Sequence, residues 1–160
     1  MIGVGDRLPE ATFRVLGSEG IEKMTTSDIF SGRKVVVFAV PGAFTPTCHL
    51  KHLPGFIDNA DAFKKKGVHT VACIAVNDPF VLDAWSKAAS GRGKVLFLSY
   101  GNAEFTKAIG LDFDGSGIGL GTRSKRYAML VDDGVVKILK VEESPGIADV
   151  STAENLLAEA

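Results

Sequence analysis

Cys48 is the residue of this chain whose type and surroundings best suit covalent chemistry. It follows the run Pro41-Gly42-Ala43-Phe44-Thr45-Pro46-Thr47, which joins an apolar segment to a predicted helix. In the first turn of a helix the backbone N–H groups are unpaired and the helix dipole is positive, and both favour a thiolate over a thiol. Because the thiolate is the attacking form of cysteine, the sequence predicts a nucleophile at the end of a proline-restricted loop.

Thr45 stands three residues before Cys48, where disulfide-exchanging proteins of the thioredoxin type carry a second cysteine. The pattern Thr-x-x-Cys therefore excludes a dithiol exchange centre. A hydroxyl one helical turn from a thiolate can exchange hydrogen bonds with a small polar substrate and orient it. The same hydroxyl could simply cap the helix, and the two roles are compatible.

Two histidines follow Cys48 closely. Cys48 and His52 are four residues apart and would share one face of an unbroken helix, which suggests a Cys–His nucleophile pair or, with His49, a metal site. A structural zinc site needs a further Cys/His group, which the sequence lacks. A cysteine hydrolase would need a third, orienting group that we cannot identify. Both alternatives are therefore disfavoured.

The segments around this loop alternate between strands and helices. Strands are predicted over residues 11–15, 20–24, 34–40, 68–76, 95–99, 127–131 and 135–141. Helices are predicted over residues 27–30, 47–66, 79–89 and 103–109, with a last one after the capping box of residues 151–154. Pro54-Gly55 should kink or split the second helix, and Asp133-Gly134 should turn a hairpin. The pattern predicts a mixed sheet with helices on both faces.

The composition limits the classes of function. With 160 residues, 46% hydrophobic, and a formal net charge of −1, the chain fits one domain and lacks the basic excess of a nucleic-acid or membrane-surface binder. The longest aliphatic and aromatic run, residues 35–40, is too short to span a bilayer, and residues 1–6 do not look like a signal peptide. Two cysteines make no disulfide framework. We expect a cytoplasmic protein.

The loop from Pro41 to Cys48 and the residues that follow it resemble the active-site signature of the peroxiredoxins. Within that family they resemble the type II or fifth-type (atypical) subgroup. The residues that carry this resemblance cover essentially the whole chain: the run from Pro41 to Cys48, His52, Pro54-Gly55-Phe56, Val76-Asn77-Asp78-Pro79-Phe80, Trp85, Gly119-Leu120-Gly121-Thr122-Arg123-Ser124 and Val131-Asp132-Asp133-Gly134. The resemblance implies a single thioredoxin-like α/β domain over residues 1–160, with a central mixed β-sheet, helices on both faces and an N-terminal β extension.

The resemblance also implies a thiol-dependent peroxidase that uses no metal, haem or flavin and acts on hydrogen peroxide and small alkyl hydroperoxides. Cys48 would attack a peroxide oxygen, release water or an alcohol and become a sulfenic acid. Arg123 matches the family arginine, and its permanent charge would stabilise the thiolate and the leaving oxygen. Thr45 would align the peroxide, and Pro41 would shield the sulfur from water.

The resemblance also gives expectations for several neighbouring residues. Gly42, Phe44 and Leu120 are expected to line the pocket. Arg126 belongs with Arg123 to one basic cluster that would otherwise be interpreted as a solvated edge, and we expect it to assist Arg123 or face water rather than be catalytic. His52 matches the subgroup and is expected to lie behind the nucleophile or in the packing. His49 replaces the usual serine, so its ring could tune Cys48 or a reductase-docking surface, or face solvent.

Oxidised Cys48 could be reduced in two ways, by a second cysteine of this chain or by an external thiol. Cys73 lies in an apolar predicted strand, where a buried, inert thiol is the favoured interpretation. In some members of the subgroup the equivalent cysteine is discussed as a resolving thiol, but a bridge to Cys48 would need Cα atoms within about 7 Å or local unfolding. Otherwise glutathione with glutaredoxin, or thioredoxin, reduces Cys48. The resemblance further implies a homodimer joined through loops near the site.

Two other classes of function remain open. A redox-sensing relay would use the same chemistry at Cys48 but pass the oxidation to a partner protein. A chaperone-like holdase would not need Cys48 at all.

Overall fold

The structure is a computed structural model that describes residues 1–91 and 93–160. Within these residues, seven strands form one sheet in the order β2-β1-β5-β4-β3-β8-β9, and β6 and β7 form a separate two-stranded ribbon. The strands are β1 Thr12–Gly17, β2 Gly20–Thr25, β3 Lys34–Val40, β4 Thr70–Ala75, β5 Leu96–Ser99, β6 Asp112–Asp114, β7 Thr122–Ser124, β8 Tyr127–Asp132 and β9 Val135–Val141. The predicted α/β fold with a central mixed sheet is confirmed.

Strand β3 lies inside the sheet and positions the loop that follows it, residues 41–47. It pairs in parallel with β4 and antiparallel with β8, and apart from Lys34 it is buried along its length. Its valine-rich sequence suits this position because alternate side chains enter two separate apolar clusters, one on each face of the sheet. A strand held by two neighbours and packed on both faces gives the next residue, Pro41, a fixed starting point.

The helices cover both faces. They are α1 Thr26–Phe30, α2 Leu53–Asp58, α3 Ala60–Lys65, α4 Pro79–Ala88, α5 Glu104–Ala108 and α6 Ala153–Glu159, with a π-helical turn over Cys48–His52 and a 3-10 turn over Ser116–Ile118. Asp78 caps α4, where its side chain accepts a hydrogen bond from Val81 N, as the sequence predicts. Among the described residues, no helix is long and apolar enough to cross a membrane.

The predicted helix over residues 47–66 is divided differently than expected. The π-helical turn precedes Pro54, with Leu53 N donating to Cys48 O, five residues back. Pro54 comes just after this π-helical turn, at the start of α2, and the helical segment that begins at Pro46 continues through it. The break comes at Asn59, between α2 and α3.

Of two predictions for the C-terminal part of the chain, the hairpin is confirmed and the capping box is not. The β8–β9 hairpin turns at Asp133 and Gly134, which both have positive φ (48° and 79°), as a tight turn of this type requires. The capping box predicted at residues 151–154 is wrong. Thr152 caps α6 by accepting from Asn155 N, because the hydroxyl and backbone N–H of Ser151 are both donated to Glu142.

The N-terminal β extension is confirmed as the antiparallel pair β1–β2, which joins the sheet at β5. The β6–β7 ribbon was not predicted, because its strands are three residues long and are too short to show an alternation of polar and apolar residues. This ribbon carries Arg123, and Leu120 lies in the connection between its strands.

Candidate active site

The loop after β3 is held by hydrogen bonds of its own and by one from a neighbouring strand. Ala43 N donates to the Asn77 side-chain oxygen at 3.0 Å, and Thr45 Oγ1 donates to Gly42 O at 2.7 Å. Phe44 adopts a left-handed backbone conformation with φ of 64°, which is uncommon for a residue other than glycine. Pro41 and Gly42, at the start of the loop, are buried.

Cys48 follows this loop and lies in the first turn of the helix. The helix begins at Pro46, and His49 N donates to Thr45 O at 2.9 Å, so Thr45 provides the first backbone acceptor. Cys48 opens the π-helical turn and is 0% exposed. A π-helical turn is rare and recurs at functional sites. The thiol is therefore anchored near a helix start and shielded from bulk water.

The cation at the sulfur is Arg126. Arg126 Nη2 donates to Cys48 Sγ at 2.8 Å, and the whole residue is 1% exposed. The other hydrogen bonds of its guanidinium go to Pro145 O, at 3.3 Å from Nε and 3.1 Å from Nη2, and to His52 Nδ1, at 2.9 Å from Nη1. Both acceptors are neutral, so among the described residues that hydrogen-bond the Arg126 guanidinium, Cys48 is the one that can supply a negative charge.

The expectation for the two arginines is therefore corrected. Arg126 does not face water, and it contacts the sulfur that the sequence reading assigned to Arg123. Arg123 donates from Nε to Leu120 O at 2.9 Å and from Nη1 to Pro41 O at 3.3 Å. Arg123 thus connects the β6–β7 ribbon to the loop that precedes Cys48.

The sequence does contain a signal for Arg126. Arg126 directly precedes β8, and the alternate residues Ala128 and Leu130 belong to the same apolar cluster as Cys48. Side chains two residues apart in a strand point to the same face. The spacing of Arg126 from these residues, an even number of positions, places it on the Cys48 side of the sheet.

His52 lies behind Arg126 and is neutral. Burial, assisted by the Arg126 charge, lowers the pKa of His52 to about 3. Its Nε2 is 2.8 Å from Ser151 O, and its ring meets the rings of Phe38 and Phe56 edge-on. His52 is therefore part of a buried polar chain and cannot act as a base on Cys48 across the guanidinium.

The buried chain of hydrogen-bonded groups behind Arg126 ends at the carboxylate of Glu142. Glu142 accepts three hydrogen bonds at Oε2: 2.6 Å from Ser151 Oγ, 2.7 Å from Ser151 N and 2.8 Å from Asp149 N. Burial opposes the ionisation of Glu142, but these hydrogen bonds outweigh it and keep the pKa of the carboxyl below its usual value. The segment from Glu142 to Ser151 is thus anchored against the active-site helix.

His49 does not point freely into solvent. The Trp85 indole donates from Nε1 to His49 Nδ1 at 3.0 Å, and the Phe44 ring lies 5.7 Å from the imidazole, measured between centroids. Trp85 is 0% exposed. Because an indole nitrogen only donates, the neutral His49 ring carries its proton on Nε2. His49 therefore connects the helix of Cys48 to α4.

Cys73 lies in β4, opposite Phe38 of β3, and is 0% exposed. It belongs to the same apolar cluster as Cys48, and both cysteines are free. Burial, and then the proximity of Cys48, raise the pKa of Cys73 well above its usual value. In the folded protein Cys73 is consequently a thiol held in a central strand.

The three predicted pocket residues differ in how exposed they are. Gly42 is packed so closely that a Cβ atom there would lie 3.0 Å from Arg123 Nη1, whereas Phe44 is 48% exposed. Leu120 is half-buried, and its carbonyl receives the Arg123 hydrogen bond. Among the described residues, no cluster of three or more His, Cys, Asp or Glu side chains could hold a metal ion.

Comparisons with known proteins show the family of the chain. A family model described as Redoxin matches residues 3–157. Peroxiredoxin-2E-2, chloroplastic, from Oryza sativa subsp. japonica is 50% identical over 98% of this chain and 71% of its own length. The crystal structure of reduced Prx3 in complex with H2O2 from Vibrio vulnificus matches with a TM-score of 0.94, 50% identity and 99% coverage of both chains.

A third match extends the comparison to the fifth type. The crystal structure of peroxiredoxin 5 from Alvinella pompejana has a TM-score of 0.87 and 37% identity, and it covers 99% of this chain and 97% of that one. The predicted family and activity are confirmed. The chain belongs to the Redoxin family and, within it, to the thioredoxin-fold peroxiredoxins, which makes it a thiol-dependent peroxidase.

Proposed function

We propose that Cys48 is the peroxidatic cysteine and that Arg126 is the cation that activates it. The observation that carries this proposal is the 2.8 Å contact between Arg126 Nη2 and Cys48 Sγ. Both residues are shielded from water, where an ionic hydrogen bond is stronger than at the surface.

The reaction needs only this chain and a hydroperoxide. The Cys48 thiolate attacks the terminal peroxide oxygen, so an S–O bond forms while the O–O bond breaks. The sulfur is oxidised to a sulfenic acid, and the leaving oxygen takes up a proton and departs as water or an alcohol. Arg126 donors next to the sulfur are suited to stabilise the negative charge as it moves onto the leaving oxygen.

Thr45 and Pro41 complete the proposed site. Because the Thr45 hydroxyl donates to Gly42 O, its oxygen lone pairs remain available to accept the O–H of a peroxide. Pro41 is buried above the site and its carbonyl receives Arg123 Nη1, which supports a role in excluding water. We assign Arg123 a loop-holding role, with Gly42, Phe44 and Leu120 around the entrance.

Hydrogen peroxide is the first substrate we propose, with small alkyl hydroperoxides second. The relative from Vibrio vulnificus was crystallised with H2O2. The zero exposure of Cys48 favours a small substrate, and the half-exposed Phe44 next to the entrance suits an alkyl group.

For the reductant we propose an external thiol system, either glutathione with glutaredoxin or thioredoxin. Cys73 is buried in β4 with a raised pKa, so it is a poor resolving thiol in the folded state. The external thiol would attack the sulfenic sulfur, expel water and form a mixed disulfide, which a second thiol then reduces. The cytoplasm remains our expected compartment, although the rice relative is chloroplastic by name.

A homodimer through the loops near the site is also part of the proposal. Three apolar side chains are strongly exposed: Phe44 at 48% in the loop after β3, Phe80 at 60% in the first turn of α4, and Ile118 at 76% in the 3-10 turn between β6 and β7. Exposed apolar side chains of this size suit burial against a second copy. Sedimentation of the wild type and of Phe80→Asp tests this, and we expect a dimer that the charged side chain weakens.

Stopped-flow measurement of peroxide consumption tests the central assignment. We expect the wild type to consume one equivalent of H2O2 rapidly and Cys48→Ser to consume none at that rate. Full activity of Cys48→Ser would contradict the proposal. Rapid oxidation of the wild type with turnover by neither thiol system would instead favour the redox relay, in which Cys48 passes its oxidation to a partner protein.

A further inference from the structure

We propose that His52 is a positioning residue of the peroxidase reaction, a neutral acceptor that orients the Arg126 guanidinium towards Cys48. This inference rests on the proposed function in one respect, the assignment of Cys48 as the nucleophile. It concerns a residue that does not itself touch the sulfur or a substrate, and it follows from the hydrogen-bond directions in the buried chain behind Arg126.

The direction of the first bond is fixed by chemistry. An arginine side chain has only donors, so the 2.9 Å contact between Arg126 Nη1 and His52 Nδ1 requires an unprotonated Nδ1. The proton of the neutral ring is then on Nε2, which donates to Ser151 O at 2.8 Å. Both ring nitrogens are used, and a single tautomer satisfies them.

The position of the imidazole is fixed by packing. Its ring meets the Phe38 and Phe56 rings at 5.2 and 5.3 Å between centroids, both edge-on, and it is 1% exposed. Ser151, whose carbonyl oxygen accepts the hydrogen bond from Nε2, itself donates two hydrogen bonds to Glu142. The acceptor that Arg126 meets is therefore held by several independent contacts.

The neutrality of this acceptor matters for the charge at the sulfur. A carboxylate in place of His52 would pair with Arg126 and compete with Cys48 for the positive charge. An imidazolium would repel the guanidinium and offer it no lone pair. A neutral ring fixes the Arg126 geometry without neutralising its charge, so the charge remains available to the Cys48 thiolate.

His52 also belongs to the same helical turn as Cys48. The two residues are the ends of the π-helical turn, and Cys48 O accepts from Leu53 N, the residue after His52. Arg126 therefore contacts both ends of one turn, through Nη2 at the sulfur and through Nη1 at the ring. Unwinding this turn would remove the sulfur and the acceptor from Arg126 together.

Matched amide substitutions separate the two bonds of the ring. His52→Asn places an oxygen near the position of Nδ1 and can still accept from Arg126, whereas His52→Gln places an amide nearer Nε2 and keeps only the bond to Ser151 O. His52→Asp has the shape of the first variant but adds a negative charge. Each is compared with wild type for thermal unfolding, peroxide rate constant and iodoacetamide labelling of Cys48 as a function of pH.

We expect His52→Asn to retain the peroxide rate constant within about threefold, and His52→Gln to lose about tenfold, the size of one hydrogen bond to a charged group. We expect His52→Asp to lose more than His52→Gln. The labelling profile should move to higher pH for the Gln and Asp variants and stay unchanged for Asn. Equal losses in Asn and Gln, or losses that follow thermal stability without a change in the labelling profile, would overturn the proposal.

A measurement on the wild type keeps the proposal testable if a variant does not fold. Nitrogen-15 NMR of labelled histidine should show His52 neutral with its proton on Nε2 from pH 5 to 8, and the Nδ1–H tautomer or an imidazolium would contradict the inference. Neither labelling nor NMR uses peroxide. A wild type that does not oxidise Cys48 would therefore refute the proposed function, while these two readouts still decide the role of His52.

Discussion

Arg126 Nη2 lies 2.8 Å from Cys48 Sγ, and the two residues are 1% and 0% exposed. A buried guanidinium whose other partners are two neutral groups, Pro145 O and the His52 ring, carries an uncompensated charge. Cys48 Sγ is placed where a negative charge would balance it.

Arg126 and Arg123 should differ in their effect on the chemical step. We expect Arg126→Gln to lower the second-order rate constant with H2O2 by on the order of 10²–10³-fold, as the loss of a preorganised donor does. Arg123→Gln should lower it by about tenfold or less, because it loses hydrogen bonds that hold the loop rather than the sulfur. Stopped-flow measurement on both variants checks the order, and a larger loss in Arg123→Gln would restore the assignment made from the sequence.

Thr45 should act through its hydroxyl rather than its shape. Thr45→Val keeps the branched side chain but removes both the bond to Gly42 O and the acceptor proposed for the peroxide. We expect its peroxide rate constant to fall by on the order of 10²-fold, and that of Thr45→Ser to stay within a few-fold of wild type. Equal activity of the Val and Ser variants, each with a wild-type melting temperature, would rule out the hydroxyl.

His52 should make the folded state sensitive to acid. Its pKa is about 3 when folded and about 6.5 when unfolded, so between these values only the unfolded chain binds the proton. Stability is therefore complete above pH 6.5 and falls as the pH is lowered towards 3, by about 2 kcal/mol at pH 5 from this group. Urea unfolding at pH 7 and pH 5 measures the difference.

The control for this pH dependence is a second histidine. His52→Asn should remove about 2 kcal/mol of the difference between pH 7 and pH 5, whereas His69→Asn, at an exposed position, should retain it. An equal pH dependence in wild type and His52→Asn would show that the buried ring is not the group that titrates.

Cys73 should be dispensable for the peroxidase reaction. Cys73→Ala leaves Arg126 and Cys48 in place and removes one buried sulfur, so we expect an unchanged peroxide rate constant and a loss of about 1–2 kcal/mol in stability. Turnover should be unchanged with glutathione and glutaredoxin and with thioredoxin. A Cys48–Cys73 disulfide in peroxide-treated wild type, seen by mass spectrometry without reduction, would make Cys73 a resolving thiol.

The sequence predicts those parts of the fold that local chemistry determines. The valine-rich β3, the Asp78 cap and the Asp133-Gly134 turn each follow from a residue's own conformational preferences, and each is present. The division of helix 47–66 was misplaced because the helical segment continues through Pro54, and the π-helical turn before this proline is a rare feature that the local sequence pattern does not reveal.

The sequence predicts Cys48 as the nucleophile, but it does not predict the contact of Cys48 with Arg126. The loop and Cys48 are contiguous in sequence, whereas the choice between Arg123 and Arg126 depends on the exact start of β8 and on the ribbon before it. The cap at Ser151 was wrong for a related reason. Glu142, nine residues earlier in the chain, takes both donors of Ser151, and local pattern does not reveal such a partner.

Mapping the sulfenic acid by mass spectrometry tests the central claim most directly. The reduced wild type is treated with one equivalent of H2O2 in the presence of a 1,3-dione that traps sulfenic acids, then digested and sequenced. We expect the adduct on the peptide that contains Cys48 and an unmodified thiol at Cys73. An adduct confined to Cys73, or peroxide consumed without any modification of Cys48, would contradict the account.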